Sequence, residues 1–218
     1  MKRGKYTILV LVITVSIIVF LLLNLLLGSV SIPFASVWNI LTGGEGDPVA
    51  WQNIILKSRL PQALTALVAG AGLSISGLQM QTIFRNPLAG PSVLGISSGA
   101  SLGVAFVVLL SGQLGGVALS RLGFIGEVAL SIAAVVGALS VMGLIVLASR
   151  KVAGSVTLLI IGVMIGYIAN AVIGVLKFFS VEEDIKAYVI WGLGSFSRVS
   201  GNQMMLFVGI MAVLLPLS

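Results

Sequence analysis

Residues 59–104 read RLPQALTALVAGAGLSISGLQMQTIFRNPLAGPSVLGISSGASLGV. The first part, Leu60 to Phe84, runs for 25 residues without a charge. At a rise of about 1.5 Å per residue, about 20 apolar residues in a helix cross the roughly 30 Å hydrocarbon core of a bilayer. Pro61 sits beside the expected helix start, where a missing amide hydrogen breaks no helical bond. The next part, Arg85 to Ser101, holds Pro87, Pro91, Gly90, Gly95 and Gly99. Such a stretch is either an ordinary turn between helices or non-helical backbone dipping to membrane depth, which requires protein or a water-filled cavity around it.

Outward from this stretch the pattern repeats. Charge-free runs also occupy Tyr6 to Gly44, Asn86 to Ser120, Val128 to Ser149, Val152 to Leu176 and Val199 to Ser218. With Leu60 to Phe84 they give six predicted spans, and unbroken runs fit helices rather than the short alternating strands of a barrel. The expected fold is all-α, a polytopic helical membrane protein with residues 1–218 forming one transmembrane domain. The composition agrees: 58% of the 218 residues are hydrophobic and 8% charged, against about 25% charged in soluble domains.

The basic start Lys2, Arg3, Lys5 precedes an apolar run longer than the core of a secretory signal, so it reads as a retained helix with a cytoplasmic N-terminus. Alternation then places Arg85, Arg150 and Lys151 inside and Lys57, Arg59, Arg121, Lys177, Lys186 and Arg198 outside, six basic residues on each side. The orientation therefore rests on the N-terminal cluster and the short fourth-to-fifth connection. In the outer segment 28–60, Trp38 and Trp51 suggest interfacial helices at 38–42 and 51–57.

The side chains exclude most chemistry. With no Cys and no His, disulfides, zinc sites, haem ligation by His and His- or Cys-dependent catalysis are closed to this chain. No Asp or Glu lies inside a span, Glu127 standing at the edge of the fourth, which disfavours a proton relay. No G-x-x-x-x-G-K-[ST] motif occurs, so any ATP dependence comes from a partner. Serines without an activating base make poor nucleophiles. The expectation is a non-enzyme with no catalytic residue, no metal site and no cofactor of its own. The net charge of +6 is scattered and lacks an aromatic platform, which rules out nucleic acid as a partner.

Small residues mark the expected contacts. Ala66, Gly70, Ser74 and Gly77 share a face of the second span and suggest a helix central to the bundle. The fourth span is bland and reads as packing alone. In the fifth, Gly162, Gly166, Asn170 and Gly174 recur every four residues, a slowly drifting stripe against which another helix packs or a cavity opens. Glu182, Glu183, Asp184 and Lys186 read as a solvated outer patch.

The run Arg59 to Val104, with LLIIGVMIGYIANAVI at Leu158 to Ile173 and WGLGSF at Trp191 to Phe196, resembles the FecCD-like membrane subunits of type II ABC importers for iron siderophores, haem and cobalamin. The pattern RNPLA-x-P-x-x-LG-x-x-x-GA is long and specific, and the matches span most of the chain beyond residue 50. The resemblance implies a ten-span permease in the inner membrane of a bacterium. Its partners would be a second permease subunit, identical or a paralogue, a cytoplasmic ATPase dimer, a periplasmic or lipid-anchored binding protein, and membrane lipid. Six spans would make this chain an N-terminal fragment that does not transport alone. The resemblance further implies a pathway lined by Gly162, Gly166, Asn170 and Gly174, a cytoplasmic gate at Asn86, Leu88, Ser155 and Val156, and binding-protein docking through Arg59, assisted by Lys57. Where relatives carry a second basic residue after the RLP motif, this chain has Gln62. The alternatives are a secondary transporter or channel with a re-entrant loop at 85–101, and a structural scaffold with no water-accessible face.

Overall fold

The computed structural model describes residues 2–111, 124–152, 154–197 and 199–217. Arg121, Arg198 and the end of the third charge-free run lie outside these residues. Among them the helices are α1 (Lys2–Leu26), α2 (Phe34–Leu41), α3 (Val49–Ile54), α4 (Leu60–Phe84), α5 (Ile96–Ser111), α6 (Phe124–Ser149), α7 (Ser155–Phe179), α8 (Glu182–Gly192) and α9 (Gly201–Leu217). Four helical runs are long and apolar enough to cross a membrane: Gly4–Leu26, Val49–Phe84, Ile125–Ser149 and Ser155–Phe179. Ile96–Leu110 and Gly201–Leu217 are apolar but shorter, so four of the six expected spans reach the required length among the described residues.

The second span does not begin at the RLP motif. Helix runs unbroken from Val49 to Phe84, because Ile55–Arg59 forms a π-helical turn that joins α3 to α4. A widened turn is where a helix accommodates a residue that cannot donate, and Pro61 stands two residues after its last residue, Arg59.

The chain divides into two compact units, residues 1–73 with 196–218, and residues 74–195. In the first, the end of α1, helix α2 and the π turn meet around Leu25, Ile32, Val37, Ile40, Ile55 and Ala63, with Trp51 packed against them. Burial of these side chains, at roughly 25 cal/mol per Å² of apolar area, holds the segment between the spans as folded structure. Met211 of α9 lies where a side chain on Gly72 would point, and Gln62 donates to the Ser197 carbonyl at 3.4 Å.

In the second unit α5 is the central helix, packed against α6, α7 and α8. Glycine makes this possible. A Cβ on Gly137 would lie 2.2 Å from the Gly99 carbonyl oxygen, and one on Gly103 2.2 Å from that of Ala133. The bland fourth span is thus a packing helix. On α4, among the described residues, a Cβ at Gly70 or Gly77 would meet nothing within 4 Å.

In the acidic patch Glu182, Glu183 and Lys186 are exposed as expected, and Asp184 departs from that reading. Asp184 and Tyr188 of α8 are buried, and Tyr188 joins Val104, Ala105, Leu109 and Ile173 in one core. The Lys177 ammonium sits 4.7 Å from the Tyr188 ring centroid, a favourable cation–π arrangement. Ser180 donates to the Leu109 carbonyl at 3.1 Å, fixing the turn between α7 and α8 against α5.

Candidate functional site

After Phe84 the chain leaves the helix through Arg85, whose φ of 47° is unusual for a residue with a side chain. Asn86 stabilises the turn: its Oδ1 accepts the Leu88 amide at 2.9 Å, the Asx arrangement that suits Asn to turns. Leu88 then projects with 85% of its surface exposed. Short turns continue, Val93 N to Gly90 O at 3.0 Å and Gly95 N to Ser92 O at 3.2 Å, until α5 begins at Ile96. The non-helical segment is therefore Arg85 to Gly95, and Ser97 to Ser101 belong to a helix.

This segment packs against α7 through glycine on both sides. Gly95 has φ +72°, and a Cβ there would lie 2.6 Å from the Gly162 carbonyl oxygen. Only a residue without a side chain fits that conformation and that approach. On α7, a Cβ at Gly162 would lie 2.8 Å from the Leu94 Cα.

Where the two elements part there is a recess of about 300 Å³. Gly95 and Gly166 form its floor, Ser92, Ser98, Tyr167 and Asn170 supply its polar groups, and Val93 and Val163 flank it. Ser98 Oγ would be 3.4 Å from a Cβ on Gly166. No charged side chain lines this space, so it suits neutral polar groups and offers nothing for acid–base or metal chemistry.

The four residues of the fifth-span stripe therefore separate. Gly162 is buried and closed by the Leu94 backbone, and Gly166 is buried at the recess floor. Asn170 and Gly174 are exposed, and Asn170 reaches the recess while Gly174 has nothing within 4 Å of its Cβ position. Ser92, Ser98 and Tyr167 were not anticipated. The signal for Tyr167 was its place three residues before Asn170, which puts both on one helix face.

The four residues expected at a gate fall at two ends of helices, Asn86 and Leu88 after α4 and Ser155 and Val156 at the start of α7. Val156, like Leu88, is exposed, at 68%.

Arg59 departs most from expectation. A docking residue should present its charge outward, but Arg59 is 6% exposed. Its Nη1 donates to the carbonyls of Leu25 at 2.6 Å and Leu26 at 3.0 Å, and its Nη2 to that of Val30. The carbonyls of Leu25 and Leu26 close the end of α1, where the helix carries partial negative charge, and that of Val30 follows in the connection. The guanidinium finds acceptors within its own chain, so its charge is turned inward. Lys57, on the same π turn, is exposed.

A model of the FecCD transport family matches residues 16–218. Over 167 residues the chain is 40% identical to a Helicobacter pylori protein named probable iron chelatin transport system permease protein, covering 75% of this chain and 46% of that one. Over 202 residues it is 33% identical to the vitamin B12 import system permease protein BtuC of Klebsiella pneumoniae, covering 92% of this chain and 55% of that one. Among solved structures, it resembles a metal-chelate type ABC transporter in an inward-facing conformation, with TM-score 0.74, 25% identity, and coverage of 95% of this chain and 60% of that one. The chain spans about half the length of the curated relatives it matches.

Proposed function

The chain belongs to the FecCD transport family, and from that premise we propose that it forms part of the membrane permease of an ATP-driven importer carrying a ferric siderophore, haem or cobalamin. Its relatives are named as iron chelatin and vitamin B12 permeases, and large chelates need a wide path with weak polar contacts rather than a tight site. The observation that carries this reading is the recess between the 85–95 segment and α7, with Asn170 and Tyr167 on its wall. Polar side chains on a spanning helix are costly toward lipid and belong against water or protein. In this reading the recess faces the pathway, Gly166 and Asn170 line it, and Gly162 supports it from behind. Gly174 lines the path farther along α7.

The remaining parts follow from the same premise. A second permease subunit completes the path, a cytoplasmic ATPase dimer supplies hydrolysis, and a periplasmic or lipid-anchored binding protein delivers cargo. The chain sits in the inner membrane with its N-terminus cytoplasmic. Leu88 and Val156 narrow the cytoplasmic mouth, where apolar side chains close a path by dewetting. Lys57 takes the docking role, since Arg59 is bound internally. The test is uptake of ferric siderophore, haem and cobalamin by the full transporter in proteoliposomes with ATP inside. Uptake of at least one that stops when ATP is withdrawn supports the reading, and ATP-independent uptake points instead to a secondary transporter or channel.

A further inference from the structure

Several helical hydroxyls turn back on their own backbone: Thr14, Ser16, Thr82, Ser131 and Ser140 each donate to the carbonyl four residues earlier, at 2.8–2.9 Å, whereas the buried Thr65 hydroxyl does not. Such a bond is the usual resort of a hydroxyl in an apolar setting. Ser98 makes no such bond, although it is helical. Ser92, Tyr167 and Asn170 are exposed, which leaves their polar groups open to a partner from outside the chain. All four border one recess, and its floor is two glycines.

We propose that this recess is a transit subsite for an uncharged polar arm of the cargo, an amide, hydroxyl or hydroxamate group, and that it discriminates against anionic chelates. The proposal rests on the importer reading and adds to it the chemical class of the group bound. At about 300 Å³ the recess lies at the low end of the roughly 300–1,000 Å³ range of ligand pockets, so it receives one arm rather than a whole chelate. Its hydroxyls and amide donate and accept, which matches groups that also do both. An anion entering it would be desolvated with no cation to meet it, a penalty that a neutral amide or hydroxamate avoids by hydrogen bonding. Glycine at 166 leaves the backbone accessible at the floor, while the Cβ direction of Gly95 is taken up by the α7 backbone. The absence of a charged partner also keeps the arm weakly held, as passage requires.

The chain contains no cysteine, so introduced thiols report single positions once any cysteine beyond residues 1–218 is replaced by serine. Asn170→Cys and Ser92→Cys, made separately in the full transporter in proteoliposomes, are labelled with a water-soluble maleimide. Labelling is repeated with excess neutral ferric trihydroxamate, amide-bearing cyanocobalamin or trianionic ferric tricatecholate. The expected result is at least threefold slower labelling at both positions with the trihydroxamate or cyanocobalamin, little effect of the tricatecholate, and no change at a control Glu45→Cys, exposed between α2 and α3. Tyr167→Phe keeps the ring and should raise KM for the protecting compound by about two- to tenfold with kcat unchanged, the scale of one lost hydrogen bond. Unprotected thiols alongside ATP-driven uptake overturn the subsite and leave the importer standing. Equal protection by the tricatecholate overturns the discrimination, and thiols inert without any ligand show a recess covered by another protein surface, which overturns the subsite too. Protection without ATP-driven uptake supports the subsite and overturns the importer.

Discussion

Removing the Arg59 side chain should destabilise the first unit rather than merely weaken a docking surface. In Arg59→Ala, the carbonyls of Leu25, Leu26 and Val30 lose a charged donor. Hydrogen bonds to charged groups contribute about 1.5–3 kcal/mol each, but three made by one guanidinium are not additive. A helix C-terminus interacting with a partly buried cation adds up to about 2 kcal/mol, and the aliphatic stem also leaves its packing. Weighing these against water that reaches the exposed Val30, the expected loss is about 3–4 kcal/mol, a Tm lower by roughly 10 °C. The assay is thermal unfolding in detergent followed by tryptophan fluorescence, with Trp51 packed on this core. Gly28 supplies a second arm: a Cβ there would lie 2.6 Å from Arg59 Nη2. Gly28→Ala should destabilise the wild-type background and be close to silent with Arg59→Ala, a coupling of at least about 1 kcal/mol. The reasoning is refuted if Arg59→Ala melts with the wild type, or if the two substitutions simply add. Loss of binding-protein affinity with an unchanged Tm would restore the docking role.

The junction of α5 and α6 predicts that Gly137→Ala lowers Tm, because its Cβ would meet backbone at 2.2 Å and overpacking costs about 1–3 kcal/mol. Gly143→Ala, open within 4 Å, should leave Tm unchanged or raised by the helix preference for alanine, about 1 kcal/mol. For Tyr188, burial pushes the phenol above its usual value and a hydrogen bond with Ser101 partly offsets this. A raised value means that the packed state favours the protonated ring. The contribution is therefore complete below the ordinary phenol value of about 10 and lost as pH rises through the higher folded value, and tyrosinate absorbance of wild type against Tyr188→Phe measures it. Finally, Val156→Ser in the full permease should raise passive leak severalfold, measured by tracer efflux from vesicles without ATP; equal leak would remove Val156 from the gate.

What could be read from the sequence was whatever hydropathy and local turn chemistry dictate. The charge-free runs mark α1, α4, α6 and α7 because twenty apolar residues have few alternatives to a helix. Asn86 and Pro87 announce a turn, and α7 carries the marks of a special surface. Partner choice was not legible. Gly70 and Gly137 look alike in sequence, yet only Gly137 meets backbone, because small residues permit close approach without naming the helix that approaches. Arg59 beside Leu60 and Pro61 looks like an interfacial cation. Its acceptors at Leu25, Leu26 and Val30 are distant in sequence, separated by 34, 33 and 29 positions. The recess was half visible: Asn170 stood out as an amide among apolar neighbours, while Ser92 and Ser98 came from the broken segment and needed the fold to bring them alongside.

The α7 stripe yields the sharpest remaining prediction. At 3.6 residues per turn, each four-residue step turns about 40° past a full turn, so three steps from Gly162 to Gly174 turn about 120°. A stripe that drifts so far cannot face one partner throughout, which explains why it begins buried against Leu94 and ends exposed. The same substitution should therefore act differently one step apart. Gly162→Ala places a Cβ 2.8 Å from the Leu94 Cα, and since backbone must shift, the strain of about 1–3 kcal/mol outweighs the roughly 1 kcal/mol gain in helix preference. Gly166→Ala meets the Ser98 hydroxyl at 3.4 Å, near ordinary contact, so the helix preference prevails and Tm should hold or rise slightly. Its methyl group nevertheless raises the recess floor. Combined with Asn170→Cys, it should cost the introduced thiol at least half of its protection by a neutral chelate, while the protein carrying Gly166→Ala alone melts at or above the wild-type temperature. If instead both alanines lower Tm alike, Gly166 is packing in the same sense as Gly162, and the recess floor assigned to it does not exist in the membrane.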